Sequence, residues 1–117
     1  EAIASEAIAK IRDFDPQNLS NTAWAFAKLQ IEEKELMATL SEHTVRRIHE
    51  CSCRDLASTS WAFARIHMPS AELLAAMSKV VPEHLFEFEA KGLSNTAWAF
   101  ATLGSKDVPL MSALAGQ

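Results

Sequence analysis

The 117 residues suffice for one domain or for a short run of small repeating units. With 49% hydrophobic and 22% charged residues the chain can bury a core, which excludes a disordered polypeptide, and no run approaches the roughly 18 apolar residues of a membrane span. Two cysteines one residue apart form no disulfide framework, and the net charge of −4 argues mildly against strong nonspecific binding to nucleic acid.

Helices are predicted in pairs along the chain. Residues 2–12 resemble the end of one helix, and Asp15 followed by Pro16 is a good start for the next, over residues 17–29. A partner helix follows near residues 34–49. Ser52 and Asp55 are three residues apart, as in a capping box, and so predict the start of the following helix.

The second helix of the middle pair is predicted to begin at Ser70, a capping residue. Pro82 lies inside this helix, where it removes a backbone donor and should stop or kink it. The last predicted helix begins at Asp107. Alternating runs rich in β-branched residues are missing from the sequence, so strands have little support.

A period of 37 residues organises the whole chain. The three tryptophans are Trp24, Trp61 and Trp98, and the segment LSNTAWAFA of residues 19–27 recurs unchanged at residues 93–101. The middle copy, residues 56–64, keeps six of the nine residues. A fixed period of 20 to 50 residues marks a repeat architecture.

The fold prediction is therefore all-α: a right-handed α-solenoid of stacked helix-turn-helix repeats, in which each helix pair completes its core against its neighbours. The predicted units are residues 1–15 (half a repeat), 16–52, 53–89 and 90–117 (a shortened repeat). Because Val108, Leu110, Met111 and Leu114 are apolar, we expect the ends to continue or to be covered by a partner. The predicted core between repeats consists of Leu19, Trp24, Phe26, Leu56, Trp61, Phe63, Leu93, Trp98 and Phe100.

A polar stripe runs along the first helix of each unit, because successive helical residues turn by about 100°. If the helices stack, these stripes form one ladder of residues that vary between units, as a modular base reader requires. The first-helix segments carry a net charge of +3 and the rest of the chain −7. The candidate RNA-binding or partner-binding residues are Asn18, Asn21, Lys28, Asp55, Ser58, Arg65, Asn95 and Thr102.

Two alternatives remain open for these residues. The stripe is equally consistent with an ordinary solvated face, and Asn21 and Asn95 are then structural residues that bond to backbone. The tryptophans invite a second hypothesis, a platform on which unpaired bases stack. Core packing is favoured over stacking, because the tryptophans repeat with the period of the core.

The segment LSNTAWAFA carries a family resemblance. It resembles the octotricopeptide-type helical repeats of algal and protist organelle proteins and the related heptatricopeptide repeats, whose first helix reads approximately L-S-N-x-x-W-A-[LF]-A-x-L. The middle copy departs from it at Ala57 and Ser58. The resemblance implies an organellar protein, of chloroplast or mitochondrion, that binds RNA in transcript stability, splicing, translation or ribosome biogenesis. The matching residues are Leu19, Ser20, Asn21, Trp24, Ala25, Phe26, Ala27 and Leu29, and again residues 93–103.

We expect no catalytic activity, no cofactor and no metal. Cys51, Cys53, His49 and His43 cluster near one helix end, but their spacing matches no familiar zinc motif. The leading functional interpretation is RNA binding, or a place in an organellar RNA–protein machine. The rival is a protein-binding scaffold, a peripheral subunit of a large complex such as a ribosome or a photosynthetic assembly. The partners are accordingly RNA, protein subunits, or both.

Overall fold

The computed structural model describes residues 2–68 and 70–104, which form α-helices and short 3₁₀ segments without a strand. The all-α class is therefore confirmed. The predicted helix from Asp107 and the apolar residues after it lie outside the described residues. The described residues form six α-helices: α1 (Ala2–Ala9), α2 (Pro16–Lys28), α3 (Lys34–Arg46), α4 (Cys53–Arg65), α5 (Ala71–Val80) and α6 (Ala90–Thr102).

Side-chain caps start the helices where the sequence predicted them. The Asn18 backbone N–H donates to Asp15 Oδ1 over 2.7 Å, and the Asp15 N–H donates to Asn18 Oδ1 over 3.0 Å. Ser52 and Asp55 form the same reciprocal pair at the start of α4, with both distances 3.1 Å. At α5 the Leu73 N–H donates to Ser70 Oγ. Each pair satisfies backbone donors that have no partner within the helix.

Of the second helices, α3 ends earlier than the sequence predicted and α5 ends next to Pro82, where a stop or kink was expected. α3 stops at Arg46 and is followed by a 3₁₀ turn over Ile48–Glu50, so the predicted continuation to His49 is wrong. α5 stops at Val80, and a 3₁₀ segment over Val81–Glu87 carries Pro82 in its first turn. The expected effect of Pro82 is confirmed, because proline lacks the backbone donor that a further α-helical turn requires.

The turns that follow α2, α4 and α6 share one backbone conformation. Gln30, His67 and Gly104 have φ values of 57°, 54° and 75°, in the left-handed region. After α2, the Ile31 N–H donates to the Phe26 carbonyl, five residues back, and the Met68 N–H makes the equivalent bond to Phe63. This is the Schellman pattern, in which one left-handed residue closes the helix end.

Two sets of neighbouring helices enclose the core. α2 packs against α4 and α4 against α6, while α1 contacts α3 and α3 contacts α5. Helices α2, α4 and α6 are each 13 residues long and begin at residues 16, 53 and 90, the predicted first residues of the units. Buried side chains of both sets fill the space between them: Leu19, Phe26, Leu36, Met37, Leu40, Leu56, Phe63, Leu73, Met77 and Phe100.

Candidate nucleic-acid interface

The predicted polar stripe divides into two lines once the helices are packed. One line runs through Asp55 and Ala62 of α4, which are buried against α2. Its counterpart in α6 approaches α4: a Cβ on Gly92 would lie 3.7 Å from the Ala57 Cβ. On α2 the same line, Asn18 and Ala25, is exposed. α4 and α6 therefore use these positions to contact the preceding helix of the row, α2 and α4 respectively.

Asp55 takes a structural position instead of the surface position expected of it. Its side chain is 9% exposed and caps α4 through Ser52. In addition, the Ser20 hydroxyl of α2 donates to Asp55 Oδ1 over 3.2 Å. With both oxygens engaged between two helices, this carboxylate stabilises the α2–α4 contact and does not face a ligand.

The other line of the stripe faces solvent. Asn21 and Lys28 are exposed on α2, while Ser58 and Arg65 of α4, and Asn95 and Thr102 of α6, are half-buried. The structure therefore brings six of the eight candidate residues to one surface or its border. Of the other two, Asn18 is exposed on the side of α2 that faces away from α4, and Asp55 is buried.

Further residues share this surface, because they lie within about 60° of the second line on the same helices. On the whole surface, counting the second line and these further residues together, no residue is buried, four are basic and none is acidic. We call the whole surface the helix-A ridge. Its members are Gln17, Asn21, Trp24 and Lys28 of α2, Arg54, Ser58, Trp61 and Arg65 of α4, and Lys91, Asn95, Trp98 and Thr102 of α6.

The tryptophans differ most from the sequence prediction. The repeat pattern predicts them in the core, but Trp24 and Trp98 are each 44% exposed and Trp61 is half-buried. Their helical positions lie at the boundary between the core and solvent, so part of each indole packs while the rest is open. The other predicted core residues are buried, except for the half-buried Leu93.

The indoles of α2 and α4 lie close together on the ridge. The ring centroids of Trp24 and Trp61 are 6.4 Å apart, with the planes tilted by 33°. The ammonium of Lys28 lies 5.7 Å from the centroid of Trp24, within cation–π range. Aromatic faces beside cationic side chains are the chemistry with which proteins bind unpaired bases and their phosphates.

The cysteines belong to the packing of the helix ends. Cys51 Sγ is 3.6 Å from the Arg47 carbonyl oxygen and Cys53 Sγ is 3.8 Å from that of His84. Burial, aided by the charges of Asp55 and Glu50, raises the pKa of Cys51 to about 11, and burial also raises the pKa of Cys53. Both thiols are therefore weak nucleophiles near neutral pH. Among residues 2–68 and 70–104, no three His, Cys, Asp or Glu side chains are grouped for a metal ion.

Within the described part of the chain, no helix combines the length and apolar character needed to cross a membrane.

Comparison with protein families gives one informative result. The family model for the RNA-editing substrate-binding complex 6 protein matches residues 1–117. A comparison with curated proteins gives no match. The match supports the coarser expectation of a protein from an RNA-processing complex, whereas the octotricopeptide assignment stays a prediction. Because the model covers the full sequence, the chain belongs to the RNA-editing substrate-binding complex 6 protein family.

Proposed function

We propose that this chain is a non-enzymatic helical-repeat module, a right-handed α-solenoid with a 37-residue period, that binds single-stranded RNA on the helix-A ridge. The observation that carries the proposal is the row of three partly exposed tryptophans set among four basic residues with no acidic one. The family supports it, because its description names an RNA-editing complex that binds its substrate.

The chemistry of the ridge suits an unpaired strand. Stacking on an indole contributes about 1–3 kcal/mol per base and tolerates any sequence, since every base has a π face. Lys28, Arg54, Arg65 and Lys91 supply charge for phosphates. Asn21, Ser58 and Asn95 hold the same register in successive helices, and their side chains can donate and accept hydrogen bonds at base edges.

The ridge spans only three helices, which limits its selectivity. Base discrimination of about 1–3 kcal/mol at each of three positions is small beside what a specific RNA site requires. The module therefore contributes affinity and orientation within a larger assembly. We propose RNA and protein subunits of an RNA-editing complex as its partners. RNA-editing complexes of this kind are mitochondrial, which supports an organellar location in the mitochondrion and gives no support to the chloroplast.

A protein-binding scaffold within such a complex is the second candidate function. Phe86 favours it: the side chain is 96% exposed at the end of the second helix set. Aromatic side chains are enriched in protein–protein interfaces, so an exposed phenylalanine is available as an anchor for a partner. Both functions fit one molecule, because Phe86 belongs to the 3₁₀ segment that follows α5 and not to the helix-A ridge.

Fluorescence anisotropy with a labelled single-stranded RNA of about ten nucleotides tests the proposal. We expect the wild-type chain to bind the single strand, and the duplex of the same sequence to compete poorly. Replacing Trp98 by Ala should weaken binding about tenfold, the loss of one stacked base. Phe86→Ala is the matched control, an equally drastic truncation of an exposed aromatic, and should leave affinity unchanged.

Two results would exclude the helix-A ridge as the RNA-binding site. If Trp98→Ala and Phe86→Ala bind equally well, the tryptophan row is not the RNA site. If the folded wild-type chain binds no RNA at all, the scaffold function is favoured instead.

A further inference from the structure

A groove of about 620 Å³ lies between α3 and the start of α5 in the second helix set. The end of α4 and the turn after it contribute Phe63 and Met68 to its lining, and none of the described lining residues belongs to the helix-A ridge. This volume is in the range of sites that hold ligands. The chemistry of the lining indicates which kind of ligand fits.

The apolar part of the lining is continuous with the core. Phe63 is 2% exposed, and Val45 and Met68 are half-buried against the core. A small aliphatic side chain that packs on Val45 and Met68 removes apolar surface from water. Because Phe63 presents almost no ring face to solvent, it offers an unpaired base no stacking surface.

Two serine hydroxyls meet at the groove. Ser41 Oγ of α3 and Ser70 Oγ, which caps α5, are 2.7 Å apart, and Ser70 Oγ also accepts from the Leu73 N–H. The bond between the hydroxyls uses one of their two hydrogens. Within the described part of the chain, no acceptor for the second hydrogen lies within bonding distance. The pair is therefore able to donate one hydrogen bond to a ligand in the groove.

The charged residues of the groove leave one carboxylate without a counterion. Arg46 is paired with Glu42 of the same helix across 2.7 Å. Glu72, at the start of α5, is exposed, and among residues 2–68 and 70–104 no cation forms an ion pair with it. A basic side chain of a ligand gains an ion pair here, whereas a phosphate group meets a like charge.

We propose that this groove binds an extended segment of a protein partner that carries an aliphatic side chain close to an arginine or lysine. The aliphatic side chain packs on Val45 and Met68, the basic side chain pairs with Glu72, and a backbone carbonyl of the segment accepts from the serine pair. An extended segment fits this donor, because the interior carbonyls of a helix are already bonded within the helix. The proposal deepens the scaffold candidate, on a surface separate from Phe86.

NMR titration of the 15N-labelled 117-residue chain tests this with short acetylated glycine peptides, amidated at the C-terminus. One leucine and one arginine stand in each peptide, at every possible spacing, and a matched series carries glutamate in place of arginine. Two charge-reversal variants are titrated alongside the wild type. Glu72→Lys reverses the charge at the groove, and Glu35→Lys is the matched control: Glu35 precedes Glu72 by one period, is also exposed in the first turn of its helix, and lies outside the groove.

We expect at least one arginine peptide to shift the amide signals of Ser41 and Ser70 in a saturable way. Its glutamate partner should bind the wild type at least about fivefold more weakly, the effect of one ion pair at a surface. Glu72→Lys should reverse this preference, because the glutamate peptide then meets the opposite charge, and Glu35→Lys should keep it. Circular dichroism verifies that both variants remain helical.

Three results overturn the proposal. They are the absence of saturable shifts at these two amides for the whole arginine series, equal binding of the arginine and glutamate series to the wild type, and an unchanged preference in Glu72→Lys. The first two need no variant, so they hold even if a substitution unfolds the chain.

The titration contains no RNA, and its outcome is independent of the helix-A ridge. A chain that ignores the peptides but binds RNA removes the groove proposal alone. A chain that prefers the arginine peptides but binds no RNA removes the RNA-binding proposal alone.

Discussion

The Ser20 hydroxyl donates a hydrogen bond to Asp55 across 3.2 Å, with both residues buried between α2 and α4. The same carboxylate caps α4 by accepting from the backbone of Ser52. One residue therefore fixes both where a helix begins and how it lies against its neighbour. The equivalent residue is Asn18 in α2 and Gly92 in α6, so only the α2–α4 contact holds a carboxylate at this position.

Replacing Asp55 by Ala should lower the free energy of unfolding by about 2–3 kcal/mol, since it removes a cap worth about 1 kcal/mol and leaves the buried Ser20 hydroxyl without this partner. Ser20→Ala should cost about 1 kcal/mol. Urea unfolding of the two single variants and the double variant gives their coupling. Additive losses would contradict a direct bond between the two side chains.

The free energy of unfolding lost when each tryptophan is replaced by alanine should decrease as the exposure of that tryptophan increases. We expect Trp61→Ala, at the central helix, to cost about 3 kcal/mol, near the lower end for an aromatic lost from a core. Trp24→Ala and Trp98→Ala should cost less, about 1–2 kcal/mol each, because nearly half of each side chain is already in water. Thermal and urea unfolding rank the three variants. An equal loss at all three would mean that the outer indoles are buried as deeply as the central one.

The left-handed turns predict a stabilising substitution. His67 has a φ of 54°, which costs an L-residue about 1–2 kcal/mol, and glycine avoids that cost at the expense of unfolded-state entropy. His67→Gly should therefore raise the free energy of unfolding by about 0.5–1 kcal/mol. Gly104→Ala is the reciprocal test: apart from its chain neighbours, no heavy atom of the described residues lies within 4 Å of the added Cβ, so a loss reports backbone conformation. We expect a loss of about 1 kcal/mol.

Cys51 makes stability sensitive to alkaline pH. Burial raises its pKa from 9.0 to about 11, so the folded state holds a proton that the unfolded state releases first. This contribution is fully present below pH 9 and is lost as pH rises from about 9 to 11. Thermal unfolding across that range should show a steeper loss for the wild type than for Cys51→Ala. Parallel pH profiles for the two proteins would contradict the burial of this thiol.

The sequence predicts well those features that depend on a few neighbouring residues. The reciprocal caps at Asp15 and Ser52 follow from residues three apart, and the end of α5 follows from Pro82. The left-handed turn could also have been inferred, because Gly104 aligns with Gln30 and His67.

The division of the polar stripe could not be inferred in this way. Asn18 and Asp55 have the same helical phase, yet one is exposed and the other is buried. The difference lies in whether another helix packs on that side, which is a tertiary property. The tryptophans mislead for a related reason: a large indole can satisfy the core period and still leave nearly half of its surface in water.

The salt dependence of RNA affinity shows whether the helix-A ridge binds RNA through its cations. If the four ridge cations meet phosphates, log Kd should rise with log salt concentration with a slope of about 3 for a single strand. Replacing Lys28, Arg54, Arg65 and Lys91 by Ala should bring the slope close to zero. The control replaces four exposed cations off the ridge, Lys10, Lys34, Arg46 and Lys79, with the same change in net charge. We expect this control to keep the wild-type slope; equal slopes for the two quadruple variants would show that the ridge cations are not the phosphate contacts.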